Sequence, residues 1–113
     1  MRLKICRTIK PGRAIQTSDI RVKKNIIPLS YGLNEVMNLR PVSYDWKDNS
    51  GIIKIGLIAQ EIKKTVPQVV VDNEEKENLG MNYAELVPVS INAIKELNKK
   101  VENLEAQVEK LKK

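Results

Sequence analysis

Ser18 and Lys23, within the stretch TSDIRVKKNI from Thr17 to Ile26, are the residues of this 113-residue chain whose types and spacing could do chemistry. A serine hydroxyl becomes a useful nucleophile only beside a base, and a chain without histidine cannot use the Ser-His-Asp arrangement. Lysine is the remaining base. A lysine ammonium ordinarily titrates near pH ~10.4. It serves as a base at neutral pH only where desolvation or a neighbouring cation lowers that by about 3, at a cost on the order of 4 kcal/mol. Lys24 beside Lys23 supplies such a cation. Side chains five apart face opposite sides of a straight strand and lie more than a turn apart on a helix. The pair therefore needs a bend between its members, or one member from a neighbouring chain. On spacing alone a solvated, positively charged segment competes with a catalytic pair.

Length and composition define what can position these residues. The chain is long enough for one modest domain, and a domain of this size buries a small share of its surface, so a partner chain would help its stability. There is no Phe, and Tyr31, Tyr44, Trp46 and Tyr83 are the only aromatic residues, which leaves aliphatic side chains to supply most of the core. The net charge of +6 is spread over lysines interspersed with glutamates, as on a solvated helix surface. No nucleic-acid-binding motif accompanies it, so no nucleic-acid partner is expected. Cys6 is the single cysteine, which excludes an internal disulfide. No segment approaches the ~20 apolar residues of a membrane span and no signal peptide is evident, so the chain reads as soluble with no membrane partner. Nothing in the pattern calls for a cofactor or a metal.

Along the chain, residues 1–17 read as the end of an upstream element followed by a linker. Asp19 to Leu29 alternates in part and reads as a short extended segment ending near Pro28. Ser30 is placed to cap a short helix through Leu33, Val36, Met37 and Leu39, ended by Pro41. Val42, Tyr44 and Trp46 alternate with Ser43 and Asp45, and the turn residues Asp48 to Gly51 follow. This predicts a hairpin that returns over Ile52 to Leu57. Helical spacing through Ile58, Ile62 and Val66 stops before Pro67, and Gln68 to Asp72 pairs with Leu79 to Tyr83 as a second hairpin. A glycine at Gly56 followed by a helix start could offer backbone N–H groups to an oxyanion. Close packing at a strand-to-helix junction explains it better, since nothing in the spacing brings Gly56 to Gln60 near Ser18.

The clearest pattern is C-terminal. Val87, Ile94, Val101 and Val108 recur every seven residues, and Leu97, Leu104 and Leu111 fall at the matching second position, as in the a and d seam of a coiled coil. Ser90 takes that second position in the first heptad, and Pro88 beside it suits the first turn of a helix, so the regular helix is expected to start near Pro88. So narrow a stripe suits self-association better than packing on its own domain. Valine or isoleucine at a with leucine at d does not by itself specify three strands, and Lys100 with Glu105 suits a parallel arrangement. The expected fold class is α+β. Residues 18–86 would form a small strand and helix domain with hairpins, and 87–113 a long helix in a parallel trimeric coiled coil.

Four motifs in consistent order carry a family resemblance. They are Ser18 to Ile26, then Gly32-Leu33 with Leu39 to Trp46, then Gly56 to Glu61 with Val66-Pro67, and Met81-Asn82-Tyr83 with Leu86-Val87-Pro88. Together they resemble the intramolecular chaperone domain of phage tailspikes and endosialidases, the peptidase S74 family. The likeness runs from Ser18 to about Lys99, with Val22 in place of the family's usual leucine.

The resemblance implies a C-terminal domain that trimerises a preceding β-structured fibre and then cuts itself away. Ser18 would be the nucleophile, Lys23 the general base, and Thr17-Ser18 the scissile bond. The implied partners are two further copies of the chain and the upstream β-helix or fibre region of the same polypeptide. Only seventeen residues precede Ser18, so almost none of that fibre is present in this chain. The implied location is the host cytoplasm during virion assembly, followed by release from the mature fibre. Interwoven β-helices fold slowly through non-local contacts, so holding three chains in register aids them, and loss of the chaperone leaves the product kinetically trapped. Two alternatives stand beside this: a trimerisation or adhesin tip domain that does not cleave, and the self-cleaving domain of a myelin-regulatory-factor type of transcription factor.

Overall fold

A computed structural model describes residues 15–48, 51–73 and 78–112; the expectation for residues 1–14 lies outside the described residues. Helix α1 (Leu33–Met37) is followed by strands β1 (Val42–Tyr44) and β2 (Lys54–Gly56) and helix α2 (Ala59–Ile62). Strands β3 (Val70–Asn73) and β4 (Asn78–Met81) then lead into helix α3 (Leu86–Leu111). The class is α+β, with two separate antiparallel hairpins, β1–β2 and β3–β4, and one long helix. Both hairpins pair as the alternation predicts. Val42 faces Gly56 and Tyr44 faces Lys54 in the first, and Val70 faces Met81 in the second. Gly51 sits at φ 76° in the first connection, a left-handed conformation that glycine adopts without steric cost.

Local chemistry moves several boundaries. Helix α1 is capped at Gly32 and not at Ser30, because the Glu35 carboxylate reaches back to accept the Gly32 N–H at 2.7 Å. Helix α2 is a single turn that continues as turns to Thr65, and Pro67–Val69 form a 3-10 turn, so β3 begins at Val70. Helix α3 starts at Leu86, two residues before Pro88, after a 3-10 turn over Tyr83–Glu85. Pro88 falls in its first turn, where the missing N–H removes no helical bond.

The core is small. Ile62, Val66, Val69, Leu86 and Val89 are buried together, with Tyr31, Val36, Leu39, Leu57, Val70 and Met81 packed around them. Helix α1 lies along α3, whose inner face is Leu86, Val89 and Ala93. The seam residues Val87, Ile94, Leu97, Val101, Leu104, Val108 and Leu111 point elsewhere and are 44–85% exposed. One helix thus presents two faces, the first covered by its own domain and the second open.

Candidate functional site

Between Asp19 and Lys23 the chain does not run extended, as the alternation of Ile20 and Val22 had predicted. It forms a 3-10 turn over Ile20–Val22. Asp19 causes this. Its carboxylate accepts the backbone N–H of Arg21 at 2.8 Å, the N-cap bond that favours a turn over a strand. Val22 N–H and Lys23 N–H then bond back to the carbonyls of Asp19 and Ile20 at 3.2 Å. The Arg21 guanidinium closes on the same carboxylate, with Nη2 2.7 Å from Oδ2. That pairing holds the Asp19 carboxyl below its ordinary pKa.

The turn supplies the bend that the spacing demanded. Lys23 Nζ lies 2.8 Å from Ser18 Oγ, a hydrogen bond between the two residues singled out above. Asp19 and Arg21 brace the contact, although residue spacing alone gives them no part in the site. An aspartate directly ahead of the turn was the available signal. Thr17, Ser18 and Lys23 are all exposed, as are residues 20–30. Apolar side chains stand open on the same arm, Ile20 at 73% and Ile27 at 80%. Asn25 follows at φ 55°, a left-handed conformation that asparagine tolerates, and it redirects the chain.

Gly56 to Gln60 takes a different part. The Leu57 N–H is donated to the Tyr83 hydroxyl at 3.0 Å, and the same hydroxyl lies 3.5 Å from the Leu57 carbonyl. This amide is therefore engaged within the domain. Arg40 clamps the next helix through Glu61, with Nη2 2.6 Å from Oε2. The pairing lowers the Glu61 pKa and raises that of Arg40. A cleft of about 530 Å³ opens beside this junction, lined by residues that include Arg40, Tyr44, Trp46, Leu57, Met81 and Tyr83. Tyr44 and Trp46 meet edge to face there, their ring centroids 5.2 Å apart. Among the described residues no group of His, Cys, Asp and Glu is arranged to hold a metal ion, and no helix is long and apolar enough to cross a membrane.

Known proteins are similar to this chain in sequence. Residues 18–71, from the serine through the first hairpin and α2 into the start of β3, match the peptidase S74 family, described as chaperone of endosialidase. The chain is 29% identical over 98 residues to the long tail fiber protein Gp37 of Enterobacteria phage K3, an alignment covering 80% of this chain and 8% of that protein. The protein of the same name from Enterobacteria phage T2 is also 29% identical over 98 residues, covering 80% of this chain and 7% of its own length. The chain thus spans under a tenth of the length of these curated relatives. Over residues 18–71, beginning at the serine that Lys23 touches, the chain is similar to the chaperone-of-endosialidase family.

Proposed function

We propose that this domain is the intramolecular chaperone of a phage tail fibre or tailspike type of protein, that it brings three chains into register through α3, and that it then releases itself at Thr17-Ser18. The observation that carries the reading is the 2.8 Å hydrogen bond between Lys23 Nζ and Ser18 Oγ. The family match and the tail-fibre relatives supply the context. The open seam of α3 supports assembly, since a single chain leaves seven large seam side chains in water.

The nucleophile sits on the C-terminal side of the bond it breaks, which sets the order of steps. Ser18 Oγ attacks the carbonyl carbon of Thr17 while Lys23, as the free amine, takes the hydroxyl proton. Collapse of the tetrahedral adduct breaks the C–N bond. The proton passes to the Ser18 nitrogen, leaving an ester between Thr17 and the Ser18 side chain. Water, giving its proton to Lys23, hydrolyses that ester. The products are a carboxylate at Thr17 and a free hydroxyl and α-amine at Ser18. The free amine requires a site with less water than the open arm provides, and a neighbouring copy covering Ile20, Val22, Ile26 and Ile27 would supply it.

Intact mass followed over time, beside light scattering, tests this on the purified chain and on Ser18→Ala and Lys23→Ala. A product starting at Ser18, formed as trimer forms and absent from both variants, is the expected result. A second reading, assembly without cleavage, is favoured by the exposure of Ser18 and Lys23. An unbroken trimer would leave that one standing, and an unbroken monomer would remove both.

A further inference from the structure

Where the arm that carries Ser18 and Lys23 joins the folded domain, one side chain of α3 holds two of its carbonyls. Asn92, half-buried on α3, donates its carboxamide N–H groups to the carbonyl of Leu29 at 3.0 Å and to that of Tyr31 at 2.9 Å. Tyr31 is fixed in turn, its hydroxyl donating to Gln68 Oε1 at 2.7 Å and its ring packing on the core. Upstream of this clip every residue from Ile20 to Pro28 is exposed, and the hydrogen bonds of the Ser18 to Lys23 turn are internal to it.

Asn92 is a polar residue beside Val89 and Ala93, on the side of α3 that packs on its own domain. It lies two residues from Ile94 and two from Ser90, both positions of the seam. We infer that Asn92 is a positioning residue for the self-cleavage: by pinning the Leu29 and Tyr31 carbonyls to α3, it sets where on the assembled seam the Ser18 and Lys23 arm comes to rest.

This rests on the cleavage reading above. An exposed serine and lysine need a surface to exclude water, and the arm's point of departure decides which surface it meets. Ser18 stands eleven positions before Leu29, a span of about 40 Å if fully extended, so the place where the arm is rooted sets which part of the seam it can reach. The two bonds fix that root against the first turns of α3, where the open seam begins.

The test measures the first-order rate of Thr17-Ser18 cleavage on assembled protein, with light scattering for oligomeric state. Asn92→Ala and the isosteric Asn92→Asp, which cannot donate, are expected to cleave on the order of tenfold more slowly as intact trimers. Asn92→Gln, which restores the donors, is expected to recover most of the rate. Asn92→Ala trimers cleaving at the wild-type rate would overturn the inference while leaving the cleavage reading intact. If the alanine variant does not assemble, a Gly-Gly insertion after Asn25 decides. It leaves the clip untouched but slackens the arm, so slower cleavage supports the inference and an unchanged rate overturns it. A wild-type chain that never cleaves overturns the cleavage reading, and the positioning role falls with it.

Discussion

The Tyr83 hydroxyl occupies the place where a side chain on Gly56 would begin: a Cβ built there would stand 2.7 Å from that oxygen and 3.4 Å from Tyr44. The hydroxyl is committed to the Leu57 N–H, so it ties the end of β2 to the turn that launches α3. Gly56→Ala is expected to push the ring aside, break that bond and cost about 1–2 kcal/mol, at the lower end for overpacking because Tyr83 is half exposed. In a Tyr83→Phe background the same change should cost less, since the clashing oxygen is gone. Chemical denaturation of the four proteins as a double-mutant cycle checks this, and equal costs in both backgrounds would refute it.

A second prediction concerns the core. Ile62 and Val69 are 1% and 2% exposed within a cluster of five buried apolar residues among the described residues. Ile62→Ala is expected to cost about 2–5 kcal/mol and Val69→Ala somewhat less, with loss of cooperative thermal unfolding for the first. Exposed Ile55→Ala, at 84% exposure in the isolated chain, serves as the control and should leave monomer stability nearly unchanged.

The brace beneath the candidate dyad gives a third. Asp19→Ala removes both the cap on Arg21 N–H and the guanidinium pairing, and is expected to slow cleavage several-fold. Asp19→Asn, which keeps an acceptor for the amide, should fall between. The pH dependence follows from the direction of the shift. The Asp19 pKa is lowered in the folded turn, so the turn's extra stability is present above the ordinary carboxylate range and is lost as pH falls through the folded value. The Arg21 Nε–H resonance should therefore move only below about pH 4, and less so at high salt because both groups are exposed. A midpoint above the ordinary carboxylate range would contradict the bracing.

How much of this was legible beforehand differs from residue to residue. The hairpins and the long helix were visible because alternation and heptads are carried by many side chains at once, so no single contact decides them. The turn at Ile20–Val22 was not. Two apolar residues separated by one mimic a strand, and the outcome was settled by a single carboxylate reaching its own backbone at Arg21. The start of α1 was missed for a related reason: Ser30 has the right chemistry for a cap, but Glu35 satisfies the Gly32 N–H two residues later. The seam from Val87 was legible, whereas the second face of α3, Leu86, Val89 and Ala93, lay hidden behind it. Of the site, Ser18 and Lys23 were named by type, the bend that joins them was stated only as a requirement, and the Asn92 clip had no sequence signal at all.

The last prediction separates the two faces of α3. Leu97 and Leu104 are 50% and 59% exposed and lie beyond the region where the helix packs on its own domain. Replacing both with aspartate leaves Leu86, Val89 and Ala93 untouched, so the hairpins and core should persist. The seam, however, loses two apolar layers, each worth roughly 1.5–3 kcal/mol per chain, which corresponds to a thousandfold or greater weakening of association. Light scattering is expected to show a monomer that retains the near-ultraviolet signal of Trp46, with the distal turns of α3 frayed because an unsupported helix of that length is marginal in water. If assembly drives cleavage, this monomer should also stay whole at Thr17-Ser18 although its Ser18 and Lys23 are unaltered. A variant that still trimerises would move the association surface away from the seam. One that is monomeric yet cleaves at the wild-type rate would show that the turn over Ile20–Val22 suffices by itself.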